Sequence, residues 1–301
     1  MVALPVGRSP LVFQVAIALV VAAAMTGSSV EPSQEAKKDK TGQEAGGDAN
    51  KEVRRVTEKV VREIEIELRS DDKWTKIERI EEPLLFYGEP TRNNDRGSVW
   101  GWGRKGRPVA LLELWQNPEQ RALWRFAICN TSGGKLRARH AGAPWWNEND
   151  STVELKDIPG IPAPAAETAL RQRQLKLLAE KFTGHEFWDP GNTRYELRPL
   201  KRPLRTYRDE ANGVLEGGLF TLANGTNPEI MLFIEARVDP KNNAKSVWQF
   251  TVGRLAHAEL HLEYNGKEVF EAPRGWGVSG SNQPYWLGQL PAAIDVVPEK
   301  P

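Results

Sequence analysis

The residues of this chain that could do chemistry fall in a few short stretches. His185-Glu186-Phe187-Trp188-Asp189 sets an imidazole beside two carboxylates, groups that serve general acid–base work when a substrate lies within hydrogen-bond reach. The Asp189-Pro190-Gly191 that follows is turn chemistry, so a structural turn after a helix is the simpler reading. His257 and His261 have H-x-x-x-H spacing, which puts both on one face of a helix or strand and could offer two metal ligands. Around them Ala258, Leu260, Leu262 and Tyr264 alternate with Glu259, His261 and Glu263, the pattern of a half-exposed strand. No third ligand is evident, and a zinc site needs three or four, so no metal is expected.

Gly101-Trp102-Gly103-Arg104-Lys105-Gly106 spells G-x-G-x-x-G, which cradles a dinucleotide only when it follows a strand and opens a helix. Here Arg107-Pro108 and the strand-like VALLELW come next, which predicts a hairpin turn and no cofactor. No G-x-S-x-G elbow, H-E-x-x-H helix or C-x-x-C pair occurs, and the catalytic residues are unknown from sequence. Eleven tryptophans are the unusual compositional fact. Tryptophan offers flat apolar area with an N–H handle, suited to cores, to interfaces and to stacking on sugar rings. Trp145 and Trp146 are adjacent, Trp188 and Trp286 lie near expected loops or turns, and these four are the candidate ligand-binding residues.

The elements that must position these groups are organised as a repeat. Ile77, Ile80, Pro83, Leu84, Tyr87 and Gly97 recur at the same spacings as Leu197, Leu200, Pro203, Leu204, Tyr207 and Gly217. Trp124, Phe126, Leu136 and Gly142 recur as Trp248, Phe250, Leu260 and Gly266. Each copy opens on a helical signal. Val53, Val56, Val60, Ile64 and Leu68 step by three or four, although Ile64, Ile66 and Leu68 also alternate as a strand would. In the second copy Leu170, Gln174, Leu177, Leu178 and Phe182 form an apolar stripe, with Arg171, Lys176 and Glu180 outside it. Strand patterns follow in both, and Asn265-Gly266 between two alternating runs is the strongest hairpin signal. The expected fold is α+β: two tandem repeats, each one helix packed on a curved antiparallel β-sheet.

Six segments are predicted. Residues 1–28 form a signal peptide: Arg8 precedes an apolar run from Leu11 to Met25, followed by Thr26, Gly27 and Ser28. The run is short for a membrane span, so no span is expected in the mature chain, and an uncleaved N-terminal tether is the alternative. Residues 29–50 are charged and small, a disordered linker. Residues 51–156 and 167–273 are the two repeats, joined by the proline-rich 157–166. The tail, 274–301, keeps Trp276, Tyr285, Trp286 and Leu287, which suggests that it packs back.

Composition narrows the class. Cys129 is the sole cysteine of a chain expected to be exported, so the fold rests on its core and not on disulfides. The 301 residues carry 41 basic and 40 acidic side chains interspersed, which gives no field favouring nucleic acid. The basic run Arg194, Arg198, Lys201, Arg202, Arg205 and Arg208 has no counterpart at the aligned Lys76, Arg79, Glu81 and Glu82, and reads as a solvated strand face.

The stretches GLFTLANGTNPEIMLFIEA, WQFTVGRLAHAELHLEYNG and LKDIPGIPAPA, with the signal peptide, resemble an uncharacterised family of exported bacterial proteins. The resemblance implies export and a bacterial source and brings no activity, ligand or site residue with it. The expected function is a non-catalytic binding or interaction protein, periplasmic or extracellular, whose partner is a protein or a glycan. The alternative is a secreted hydrolase with a carboxylate-based site between the repeats, and a structural envelope protein is third.

Overall fold

The computed structural model describes residues 41–89, 94–151, 153–238, 245–275 and 279–291. The expected signal peptide, most of the expected linker and Trp276 lie outside the described residues. The chain is mostly β. Among the described residues eighteen strands and two α-helices follow one another, and every strand pairing is antiparallel.

Helix α1 spans Thr41–Arg62, so it begins inside the segment expected to be a disordered linker. It ends before Ile64, where alternation takes over from helical spacing and β1 (Ile64–Ser70) starts. The chain continues through β2 (Lys73–Ile77), β3 (Leu85–Glu89), β4 (Asn94–Trp102), β5 (Ala110–Trp115), β6 (Leu123–Asn130), β7 (Lys135–His140) and β8 (Ala143–Asp150). A two-residue strand, β9 (Lys156–Asp157), precedes α2 (Thr168–Ala179). Then come β10 (Phe182–Phe187), β11 (Arg194–Pro199), β12 (Arg205–Asp209), β13 (Val214–Asn224), β14 (Asn227–Val238), β15 (Ser246–Arg254), β16 (Glu259–Tyr264), β17 (Lys267–Ala272) and β18 (Tyr285–Pro291).

Three sheets result. One runs β2-β1-β7-β8, a second β18-β6-β5-β4-β3, and a nine-stranded sheet runs β17-β16-β10-β11-β13-β14-β15-β9 with β12 paired to β13. The pairing scheme recurs along the chain: β1 lies between β2 and β7 as β10 lies between β11 and β16. Register recurs too, with Tyr87 opposite Gly97 and Tyr207 opposite Gly217. In both places the tyrosine ring occupies the space that a Cβ would need, so only glycine fits. Each hydroxyl then donates to a buried glutamate, Tyr87 to Glu113 and Tyr207 to Glu235, the latter at 2.8 Å. The Asn265-Gly266 turn has φ of 50° and 72°, as a two-residue hairpin requires.

This architecture overturns the α+β expectation of two helix-on-sheet repeats. Helix α2 packs chiefly on β13 and β14 and buries Arg171, Leu175 and Leu178, while Leu170 and Leu177 of the expected stripe are exposed. Arg171 tolerates burial because its guanidinium donates to the carbonyls of Ala165 (3.0 Å) and Ala166 (2.6 Å). Most apolar strand faces are covered by other strands. One core joins Val99, Leu111 and Cys129 to Leu219, Met231 and Phe233, so the two halves of the sequence share it. Both ends of the sequence plan are also exchanged: β18 of the tail closes the edge of β6, and β9 of the linker closes the edge of β15. Covering an edge in this way removes a row of unpaired N–H and C=O groups.

Candidate ligand-binding cleft

Where β6 and β15 approach, β17 and the segment 283–285 enclose a cleft of about 400 Å³. Gly253 permits the approach. A Cβ there would come within 2.9 Å of Thr131 Cγ2 and 3.4 Å of Cys129 Sγ. Alternation along β15 then brings Val252 and Arg254 to the lining, and β17 contributes Phe270 and Ala272. The volume falls within the roughly 300–1,000 Å³ of small-molecule sites, and apolar walls with few polar groups match their usual make-up.

Arg254 organises one wall. Its Nε donates to Ala256 O (3.0 Å), Nη1 to Pro273 O (2.8 Å) and Nη2 to Ala258 O (2.7 Å), so the side chain ties the β15–β16 link to the end of β17. The guanidinium lies 4.8 Å from the centroid of the Tyr285 ring. Tyr285 is buried, its hydroxyl donates to Leu255 O at 3.4 Å, and burial pushes its ionisation well above the usual phenol range. Burial likewise pushes the Cys129 thiol up to about 12. A neutral thiol and a neutral phenol are not activated nucleophiles.

The four expected tryptophans do not converge on this cleft. Trp146 is fully buried, and its Nε1 donates to Gln283 O at 2.8 Å, which anchors the segment forming one cleft wall. Trp145 and Trp286 meet at 5.3 Å and both pack on Phe126, at 4.9 and 4.8 Å. Because side chains alternate along β18, Trp286 lies on the opposite face from the cleft-lining Tyr285. Trp188 is 45% exposed and stands apart, 5.6 Å from the Tyr195 ring.

The histidine stretches rearrange as well. His261 meets His185 and not His257: the two rings stack 4.5 Å apart at an interplanar angle of 2°. They face each other in register across β10 and β16. His261 is held by Glu268 (2.7 Å) and Glu259 (3.2 Å). Glu186 points to the other face and accepts from Asn224 at 2.7 Å, and Asp189 caps its own turn through Thr193 N (2.7 Å). Among the described residues no group of three or more His, Cys, Asp or Glu has metal-holding geometry.

Sequence reasoning missed Arg254, Gln283 and Cys129 as cleft residues. The only hint was the aromatic content of the tail, which indicated that Tyr285 would pack back. Comparison of the chain with protein-family models, curated proteins and solved structures finds no match.

Proposed function

We propose that this is a non-catalytic binding protein that holds a small ligand in the cleft between β6 and β15. The observation that carries the reading is a 400 Å³ cleft with largely apolar walls, in which Arg254 and Glu271 are the charged lining groups and burial keeps Cys129 and Tyr285 neutral. The recurring strand pairings support a duplicated β unit, with the cleft at the junction of its two copies. Export to a bacterial envelope rests on the apolar run from Leu11 to Met25 and on the resemblance to exported proteins.

A carboxylate-based hydrolase would need two carboxyls facing one substrate. Glu271 is the carboxylate on the cleft wall, whereas Glu113 and Glu235 are engaged in the core by Tyr87 and Tyr207. Binding is therefore the reading the site supports.

The test is native mass spectrometry of the full chain purified from its own cells, together with Val153→Trp, a substitution at the cleft wall that fills the volume. A small molecule carried by the native protein and lost from the variant is the expected result. If no co-purified molecule and no fraction of a cell extract raises the melting temperature of the native protein above that of Val153→Trp, the reading falls. Fractionation of the cells tests export separately, by placing the chain outside or inside the cytoplasm.

A further inference from the structure

We propose that the cleft takes a small organic monoanion, a carboxylate on an apolar body, with Arg254 as its anchor; this rests on the binding reading above. A guanidinium carries five N–H donors. Three are given to the carbonyls of Ala256, Pro273 and Ala258, which leaves two, one on each terminal nitrogen. The charge has the Tyr285 ring beside it but no counter-ion: among the described residues no carboxylate lies within ion-pair distance of Arg254. Other arginines of the large sheet are treated differently. Arg208 faces Glu216 at 2.9 Å and Arg237 faces Glu235 at 2.7 Å. Glu229 acts on Arg254 only at longer range, while its own carboxylate accepts from Asn227 at 2.6 Å.

Arg254 is half-buried, and partial desolvation lowers its pKa and disfavours its charge while no counter-ion is present. A ligand carboxylate would restore the missing counter-charge. A second donor lines the facing wall: among the described residues the side-chain amide of Gln283 makes no hydrogen bond. Val252, Phe270 and Ala272 supply apolar wall for the ligand body. Glu271 is the opposing charge, but it is exposed at the rim, where solvent screens it. One cation beside one amide matches a carboxylate better than a phosphate, which gathers several cations or backbone donors.

The experiment is calorimetric titration of the full chain at neutral pH with 4-phenylbutyrate, 4-phenylbutanol and 4-phenylbutylamine, which share one apolar body and differ in charge. The acid should bind at least ten-fold tighter than the alcohol, and the amine weakest. Arg254→Met should erase the preference for the acid, and Val153→Trp should abolish binding of all three. Acid and alcohol binding equally, with both lost in Val153→Trp, would overturn the anion proposal and leave the cleft reading standing. No binding, or binding indifferent to Val153→Trp, would sink both. Because Arg254 also holds backbone, Gln283→Ala is the second variant: it should weaken the acid several-fold and leave the alcohol unchanged, and an unchanged acid overturns the proposal even if Arg254→Met does not fold.

Discussion

Acidification should strain the stacked histidine pair at a pH set by His185. Both ring nitrogens of His261 face carboxylates, Glu268 at 2.7 Å and Glu259 at 3.2 Å, and an ionised carboxylate only accepts. The geometry therefore favours a proton on both nitrogens of His261: burial lowers its affinity, but the two hydrogen bonds outweigh burial and raise it above the usual imidazole range. His185 is held below that range, first by burial, then by the charges of Arg194 and His261, with Glu196 and Glu263 acting the other way. Its Nδ1 has no hydrogen-bond partner, and Glu263 is 3.9 Å away. Two imidazolium charges 4.5 Å apart repel by about 4 kcal/mol at an effective dielectric constant near 20, and by about half that at 40. The nearby glutamates return part of this, so a net cost of about 1–3 kcal/mol is expected when the second proton enters. The signs follow from linkage. The lowered His185 costs stability as pH falls from 6.5 toward its own native value. The raised His261 contributes fully below 6.5 and loses that contribution as pH rises through its native value. The pair's contribution should thus peak near pH 6.5. Urea unfolding of the native protein, His185→Asn and His261→Asn between pH 4.5 and 8 measures it as a difference that cancels the general titration of carboxylates. The double replacement His185→Glu with His261→Arg copies the Glu67–Arg137 ion pair, 2.7 Å long, which holds the corresponding register position on β1 and β7. It should remove the His185-dependent loss. If His185→Asn keeps the acid-side slope of the native protein, the stack is not its source and the reasoning fails.

Gly217→Ala should destabilise by about 2–5 kcal/mol in urea unfolding, because the new methyl overlaps the Tyr207 ring and displacing that ring leaves the buried Glu235 without its hydroxyl donor. Tyr207→Phe, which removes only the hydroxyl, should cost about 1–2 kcal/mol, and equal effects for the two variants would contradict the steric argument. Cys129, buried with its thiol pushed up to about 12, should react with a thiol-specific disulfide reagent at pH 8 only at the rate of unfolding. Fast labelling of the native protein would show the thiol to be accessible. Ending the chain after Gln283 removes β18, bares the edge of β6 and uncovers Phe126, so the product should aggregate on concentration by light scattering. A monodisperse, fully stable truncation would mean that β18 is dispensable.

Several features were legible locally in the sequence because short spacings carry them. The Tyr87–Gly97 and Tyr207–Gly217 spacings were readable as recurring positions, Asn265-Gly266 marks a tight turn, and the strand grammar after Gly101-Trp102-Gly103 marks a hairpin. Alternation along β16 showed which face is apolar. Alternation is silent on what covers that face. The α+β expectation failed there, because helix stripes were assigned to cover sheets that in the fold largely cover one another, as in the shared core of Leu111, Cys129, Met231 and Phe233. The partners that matter most are far apart in sequence: β18 with β6, His185 with His261, and Cys129 with Gly253 and Arg254 across the cleft. Each meeting is decided by which edge strand closes which sheet, a choice made by the whole chain satisfying its backbone hydrogen bonds and apolar faces together. That is why the residue types were readable one by one, and the cleft they form appeared only in the tertiary structure.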